Sequence, residues 1–408
     1  MKKIRYGIIG TKGFGKHHLW AASLHPGVEI TGICDVDQDF ISTKAKELGV
    51  PGFVHYQDML NAGIVDAVSI AVPHHLHFSI GRDCLEAGVH IYIEKPFVNT
   101  ISQADTMIQI AEKRNLKICV GYQYRTFQCS RFLKNCLAED RIGKVMRILW
   151  SWLDFRPEAY YRRDRWRCDF MSAGGGVLMN QASHDIDLIQ WMFGKPREIC
   201  AFIGNQMHES EIEDIACVNA IFPNGSFGNF QFGINHPKSF SIRQISGDKG
   251  MIAIQNVQSL VSDKEDFIEI GLYEKELSLL SREMQDPHGQ PDVQWKKYCV
   301  NPRRSFFRKL FSPKQILRRL GFMPMSLREK ISPGIYELLD SFVNSILTNS
   351  HPLVDAQSSR DTMEFINAIF VSAMKKKAVT LPLNPQEYDS LYEEIAHGKN
   401  KISRFFNR

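Results

Sequence analysis

Apolar and polar positions change rhythm once along this chain. Up to about residue 122, short β-rich runs alternate with helical ones. The runs 3–10 (KIRYGIIG), 28–35 (VEITGICD), 65–72 (VDAVSIAV), 89–94 (VHIYIE) and 116–122 (LKICVGY) read as strands. Between them, 17–24, 39–49, 76–87 and 101–114 read as helices, the second stopped by Gly49. Such alternation predicts a parallel sheet covered by helices on both faces. After about 123 the alternation stops. Strand-like runs follow at 144–155, 197–206, 214–222, 226–234, 241–246 and 251–255. Asn224-Gly225 and Gly247-Asp248-Lys249-Gly250 predict turns between neighbours. One long helix, about 175–193, interrupts these strands.

Composition narrows the class. A chain of 408 residues carries a prior of two to three domains. With 44% hydrophobic and 23% charged residues it reads as globular. Its longest apolar runs, such as 64–72, fall well short of the ~20 residues of a spanning helix. The start, MKKIRYGIIG, lacks the apolar stretch of a signal peptide. The 9 cysteines are odd in number and contain no C-x-x-C pair, the pattern of reduced thiols in a cytoplasmic protein. Residues 295–330 hold eleven Lys/Arg and one acid, Glu329, a local charge of +10. The whole chain is only +5, so the remainder is −5 and no nucleic-acid partner is expected.

The candidate chemistry begins in the first turn, Gly10-Thr11-Lys12-Gly13-Phe14-Gly15. A dinucleotide fingerprint wants glycine at 10, 12 and 15, and Lys12 occupies the second place. The context nevertheless fits: a strand precedes, a helix follows, and Asp35 lies twenty residues after Gly15. A carboxylate there binds ribose hydroxyls and repels a 2′-phosphate, favouring NAD over NADP. Glu94-Lys95-Pro96 follows the strand 89–94, with 71–78 (AVPHHLHF) upstream and 174–194 (GGGVLMNQASHDIDLIQWMFG) downstream.

In this order, the motifs resemble the glucose–fructose oxidoreductase / inositol dehydrogenase / rhizopine-catabolism (Gfo/Idh/MocA) family. Residues 335–346 and 352–383 are similar to its closing helices. The resemblance implies an α/β chain with a Rossmann dinucleotide-binding domain, here 1–122. It also implies an α+β domain with a large, mostly antiparallel open sheet, here 123–383, leaving 384–408 as a tail. The function implied is an NAD(P)-dependent oxidoreductase moving hydride between nicotinamide and a carbinol of a sugar, nucleotide-sugar or cyclitol. Two alternatives stand beside it: an NAD-dependent glycosidase on the same fold, and a non-catalytic sugar or dinucleotide sensor. A homo-oligomer is expected by the same analogy.

Lys95 is then implied to face nicotinamide and the reacting hydroxyl, a role open to a lysine whose pKa burial lowers. His184 is its expected catalytic partner. Asn180 stands where many members have Asp; it cannot exchange a proton and is assigned to substrate positioning with Asp187. Pro73, His74, His77 and Glu94 join residues 10–15, Asp35 and Lys95 on the cofactor side. No carboxylate or Cys partner matches the His74, His75 and His77 spacing, so no metal is expected. The arginine-rich stretch 156–169 offers Arg165, Trp166 and Arg167 for an anionic substrate, with Arg125 from the domain junction; the competing reading is a solvated loop. Residues 301–330 have no counterpart in the resemblance. Their apolar and basic faces suit either packing on the protein itself or peripheral contact with anionic lipid.

Overall fold

The computed structural model describes residues 3–255, 266–300 and 334–396; the expectations placed on 301–330 lie outside them. The first sheet is built from β1 (Ile4–Ile9), β2 (Val28–Cys34), β3 (Gly52–Phe53), β4 (Ala67–Ile70), β5 (His90–Ile93) and β6 (Ile118–Val120). All are parallel, in the order β3-β2-β1-β4-β5-β6. Covered on both faces, β4 and β5 are buried on successive residues: Ala67, Val68, Ser69 and Ile70 in one, Ile91, Tyr92 and Ile93 in the other. β3 was not foreseen, because two residues carry no period. The helices close where the sequence says they should. The Asp37 side chain accepts from Phe40 N to start Gln38–Leu48, and Gly49 ends it at φ 68°.

The second sheet has nine strands: β7 (Val145–Phe155), β8 (Glu198–Gly204), β9 (Ile215–Ile221), β10 (Phe227–Gly233), β11 (Asn235–Gly247), β12 (Gly250–Gln255), β13 (Asp266–Tyr273), β14 (Val293–Val300) and β15 (Val379–Thr380). Their order is β14-β13-β12-β11-β7-β10-β9-β8-β15, antiparallel except where β7 pairs with β10. One face is covered: Ala216, Val218 and Ala220 are buried, while Cys217 and Asn219 between them are exposed. The covering elements are the helices Ser183–Phe193 and Ala356–Lys375, the latter lying along β8. All nine cysteines are free, five of them buried.

Three expectations change. The helix placed at 175–193 is broken into Val177–Asn180 and Ser183–Phe193. β14 claims residues 295–300, which the charge run had assigned to the insertion. Residues Pro385–Ala396, expected within a tail, form a helix on Ile101–Arg114. It is tied down by Tyr392, whose hydroxyl donates to Met171 O at 2.9 Å and accepts from Asn99 Nδ2 at 2.9 Å. Ile335–Thr348 likewise returns to the first domain, packing on Gly15–Leu24. Among the described residues no helix is long and apolar enough to cross a membrane.

Candidate active site

Strand order in the first sheet reverses between β1 and β4, and in such sheets ligands bind at the carboxyl ends on either side of that point. The glycine turn stands there. A Cβ on Gly10 would lie 2.3 Å from Ala71 O, and one on Gly15 1.7 Å from Gly10 O, so both glycines are forced by backbone approach. Gly13, at φ 57°, would direct a Cβ into open space. The N–H groups of Gly13 and Phe14 donate to no acceptor among the described residues. Free N–H groups beside open space at the start of a helix fit a pyrophosphate. Thr11 is buried, its hydroxyl donating to Cys34 O at 3.0 Å. Asp35 directly follows β2, its Oδ2 accepting from Lys12 N (2.9 Å) and its Oδ1 from Asp37 N (3.2 Å), leaving lone pairs on both oxygens for a ribose. Lys12 leaves the turn altogether: its ammonium pairs with Asp37 and lies 5.0 Å from the Phe40 ring centre. The residues present therefore fit a dinucleotide, with Lys12 neither on the pyrophosphate nor across it.

The loop after β4 holds its histidines by the backbone. His74 Nδ1 meets Ala173 O at 2.8 Å, and its ring lies 4.7 Å from that of Trp166. Pro73 leads this turn and stays partly exposed. His77, expected at the cofactor, is instead fully buried, with Nδ1 on Pro96 O (2.8 Å) and Nε2 on Val72 O (3.0 Å). Burial lowers its pKa, so the neutral ring donates from one nitrogen to one of these carbonyls, joining the β4 loop to the β5 loop. Glu94 also turns inward. Its Oε1 meets His18 Nε2 at 2.8 Å, His18 Nδ1 meets Ser69 Oγ at 2.9 Å, and Ser69 meets the Tyr6 hydroxyl at 2.7 Å. This buried chain was missed in the sequence because its members are scattered over β1, β4, β5 and the first helix.

Lys95 lies just beyond β5, on a cis peptide to Pro96. Its Nζ donates to Asn180 O at 2.5 Å. The residue keeps some exposed surface, yet the ammonium sits deep enough that burial is the main cause of a pKa pushed down to about 8. Arg167 lowers it further, and Glu94 opposes both. His184, in the first turn of Ser183–Phe193, stacks on Tyr124 with ring centres 4.2 Å apart and planes at 15°. Its pKa is well below the ordinary value, first by burial and then by the charge of Lys95. It is thus a neutral imidazole beside Lys95, with Nδ1 buried and unpartnered among the described residues. Asn180 works differently from the expectation. Its main-chain oxygen holds Lys95, while its amide Nδ2 donates to the Tyr160 hydroxyl at 3.2 Å.

Tyr160, not singled out in the sequence, is the hub of the arginine-rich stretch. Its oxygen also accepts from Arg167 Nη1 at 2.8 Å, which leaves its own proton to donate. Arg167 stacks on Trp166 and Tyr160 at 4.5 and 4.9 Å and leans on Asp164 at 3.2 Å. Arg165 is exposed. Arg125 and Asp187, both expected at the substrate, close on each other instead. Asp187 accepts from Arg125 Nε at 2.8 Å and Nη2 at 2.5 Å, with Thr362 adding a bond at 3.0 Å, and both residues are buried. Removing either charge would strand the other, so this fork fastens the 123–126 turn to the Ser183–Phe193 helix. Among the described residues no group of three or more His, Cys, Asp or Glu is placed to hold a metal ion.

Residues 4–122 match the model of the oxidoreductase family, NAD-binding Rossmann fold, GFO_IDH_MocA. Residues 130–253 match the GFO/IDH/MocA C-terminal domain. The chain belongs to the Gfo/Idh/MocA oxidoreductase family. It is similar to the 2,7-anhydro-N-acetylneuraminate hydratase of Mediterraneibacter gnavus, 25% identical over 62% of this chain and 68% of that one. It is also similar to the glucose-6-phosphate 3-dehydrogenase of Bacillus subtilis, 26% identical over 47% of this chain and 54% of that one. The fold is that of the WlbA dehydrogenase from Bordetella pertussis, solved with NADH and UDP-GlcNAcA. The TM-score is 0.72 at 22% identity, covering 94% of this chain and all of that one. Membership makes this chain an oxidoreductase with an NAD-binding Rossmann domain, as the glycine turn and Asp35 indicate.

Proposed function

We propose that this family member is an NAD-dependent dehydrogenase acting on a carbinol of an anionic sugar, a sugar phosphate, uronate or nucleotide-sugar. The observation that carries the reading is Lys95: an amine with its pKa pushed down to about 8, placed at the carboxyl edge of the parallel sheet and aimed by Asn180 O. When bound, the nicotinamide takes up or gives back hydride. The chain supplies the rest. Neutral Lys95 accepts the proton of the hydroxyl being oxidised. His184, also neutral, holds a substrate oxygen through the edge of its ring, its tilt fixed by Tyr124. Tyr160 donates its free proton to another oxygen, and Arg167 with Trp166 recognises the negative group. Arg167 also contributes to holding Lys95 deprotonated. Asp35 selects NAD over NADP by opposing a 2′-phosphate.

The relatives give this reading its substrate class, since one is named for a phosphorylated sugar and a structural neighbour was solved with an acidic nucleotide-sugar. A second reading has one observation in its favour: a relative is named a hydratase. The same lysine and histidine would then serve a reaction without net oxidation. Following NADH absorbance while offering sugar phosphates, uronates and nucleotide-sugars with NAD separates the two. Accumulating NADH supports the dehydrogenase. Substrate conversion without NADH supports the second reading, and no conversion of any anionic sugar removes both.

A further inference from the structure

Glu213 is a fully buried carboxylate that the mechanism above does not use. It stands just before β9, 37 residues from the Gly174-Gly175-Gly176 turn. Three successive N–H groups of that turn converge on it. Gly176 N donates to Oε2 at 2.8 Å, Leu178 N to Oε1 at 3.0 Å, and Val177 N to the Glu213 carbonyl at 2.9 Å. The fit is close enough that a Cβ on Gly176 would lie 1.9 Å from Glu213 O. The turn clamped in this way runs straight into Val177–Asn180, whose last carbonyl accepts from Lys95 Nζ.

We propose that Glu213 is a positioning residue for Lys95: its carboxylate fixes the 176–180 turn so that Asn180 O stays under the lysine ammonium. This rests on Lys95 being the working amine of the site. The carboxylate suits the task because both its oxygens only accept. Each faces a main-chain donor, and charge-assisted bonds of this kind are among the stronger ones a buried group makes. An amide of the same shape would turn an NH2 against one of the two N–H groups. A shorter acid would not reach both. The titratable neighbours of the carboxyl are Asp214, Tyr161 and Tyr388. Burial outweighs the bonds from Gly176 and Leu178 and pushes the Glu213 pKa up to about 7. The clamp therefore weakens as pH falls through that value.

The test reads Lys95 directly. Competitive acetylation with trace acetic anhydride across a pH series, followed by peptide mass spectrometry, gives the titration of the single amine. In the full-length wild type Lys95 should titrate near pH 8. In Glu213→Gln the loosened turn admits water, relieves the burial that depresses the amine, and moves its titration up by roughly one pH unit. Glu213→Asp should fall between the two. A folded Glu213→Gln protein with unchanged Lys95 titration overturns the proposal. Should Glu213→Gln fail to fold, amide exchange in the wild type decides. Protection of Gly176 and Leu178 must drop relative to β9 amides as pH falls through about 7, and flat protection overturns the proposal. NADH binding, followed by tryptophan fluorescence, keeps the two claims apart. A shifted Lys95 in a protein that binds no NADH supports the clamp and sinks the dehydrogenase reading. NADH-linked turnover with an unshifted Lys95 sinks the clamp alone.

Discussion

The chain has two glycine-rich turns beside its candidate site; close approach of protein forces glycines in both, but their main-chain N–H groups are put to different uses. In Gly10–Gly15 the middle glycine looks into open space, and neighbouring N–H groups have no acceptor among the described residues. In Gly174–Gly176 every glycine faces protein: Asn99 and Met179 crowd the first, Phe370 the second and the Glu213 backbone the third. The amides of Gly176, Val177 and Leu178 are all consumed by Glu213. The first turn is shaped for a ligand, the second for its own neighbours. A run of glycines thus marks a cradle only when its N–H groups are left to donate. Otherwise it marks backbone squeezed against backbone to aim something else, here the carbonyl that holds Lys95.

That contrast breaks most sharply at the residue the second turn aims. Lys95→Ala should lower kcat on a converted substrate by ~10²–10⁴, with NADH affinity little changed. Because burial lowers the Lys95 pKa to about 8, oxidation in the wild type should speed up as pH rises through about 8, as the neutral base accumulates. A profile flat through that region would remove Lys95 as the base.

Gly176→Ala and Gly13→Ala form the next pair. The added methyl at Gly176 meets a carbonyl oxygen at 1.9 Å, so the protein should lose about 3 kcal/mol or fail to fold. At Gly13 the methyl meets nothing within 4 Å, and the φ of 57° costs only about 1 kcal/mol. That variant should melt within a few degrees of the wild type and bind NADH more weakly. Thermal melts with and without NADH read both; equal destabilisation at the two positions would contradict the difference between the two turns. The smallest effect belongs to Lys12→Gly. Its ammonium is engaged with Asp37 and Phe40, so NADH affinity should change by less than about 3-fold. A large loss would show that Lys12 reaches the pyrophosphate after all.

What was legible follows the same division. The alternating strands and helices of the first domain, the Gly49 helix end and the strand at β9 were readable because each is a local pattern. Lys95 and His184 were readable through motif resemblance. The break at 181–182 was not, since 177–193 reads as one helical run; in the structure Ala182 N bonds Val177 O, five residues back, at 2.7 Å and the ladder restarts at Ser183. Nor was the Arg125–Asp187 fork, because charge in a sequence looks the same whether it meets substrate or another side chain. Glu213 left one faint signal, an acid pair, Glu213-Asp214, enclosed by Ile212 and Ile215 in a strand-like run. Apolar neighbours on both sides imply that such acids serve internal donors. Asp214 does so too, accepting from Gln206 N, Met207 N and His208.

Lys95 and Arg167 are together proposed as a dehydrogenase site for an anionic sugar. The most direct test is initial-rate NADH formation from NAD, with uronates, sugar phosphates and nucleotide-sugars compared against their neutral parent sugars. Wild type, Lys95→Ala and Arg167→Ala should be run side by side. NADH should form from at least one anionic sugar, and its rate should fall ~10²–10⁴-fold in Lys95→Ala. In Arg167→Ala, KM should rise about 10-fold or more for the anionic sugar alone. Faster turnover of a neutral sugar, with Arg167→Ala indistinguishable from wild type, would contradict it.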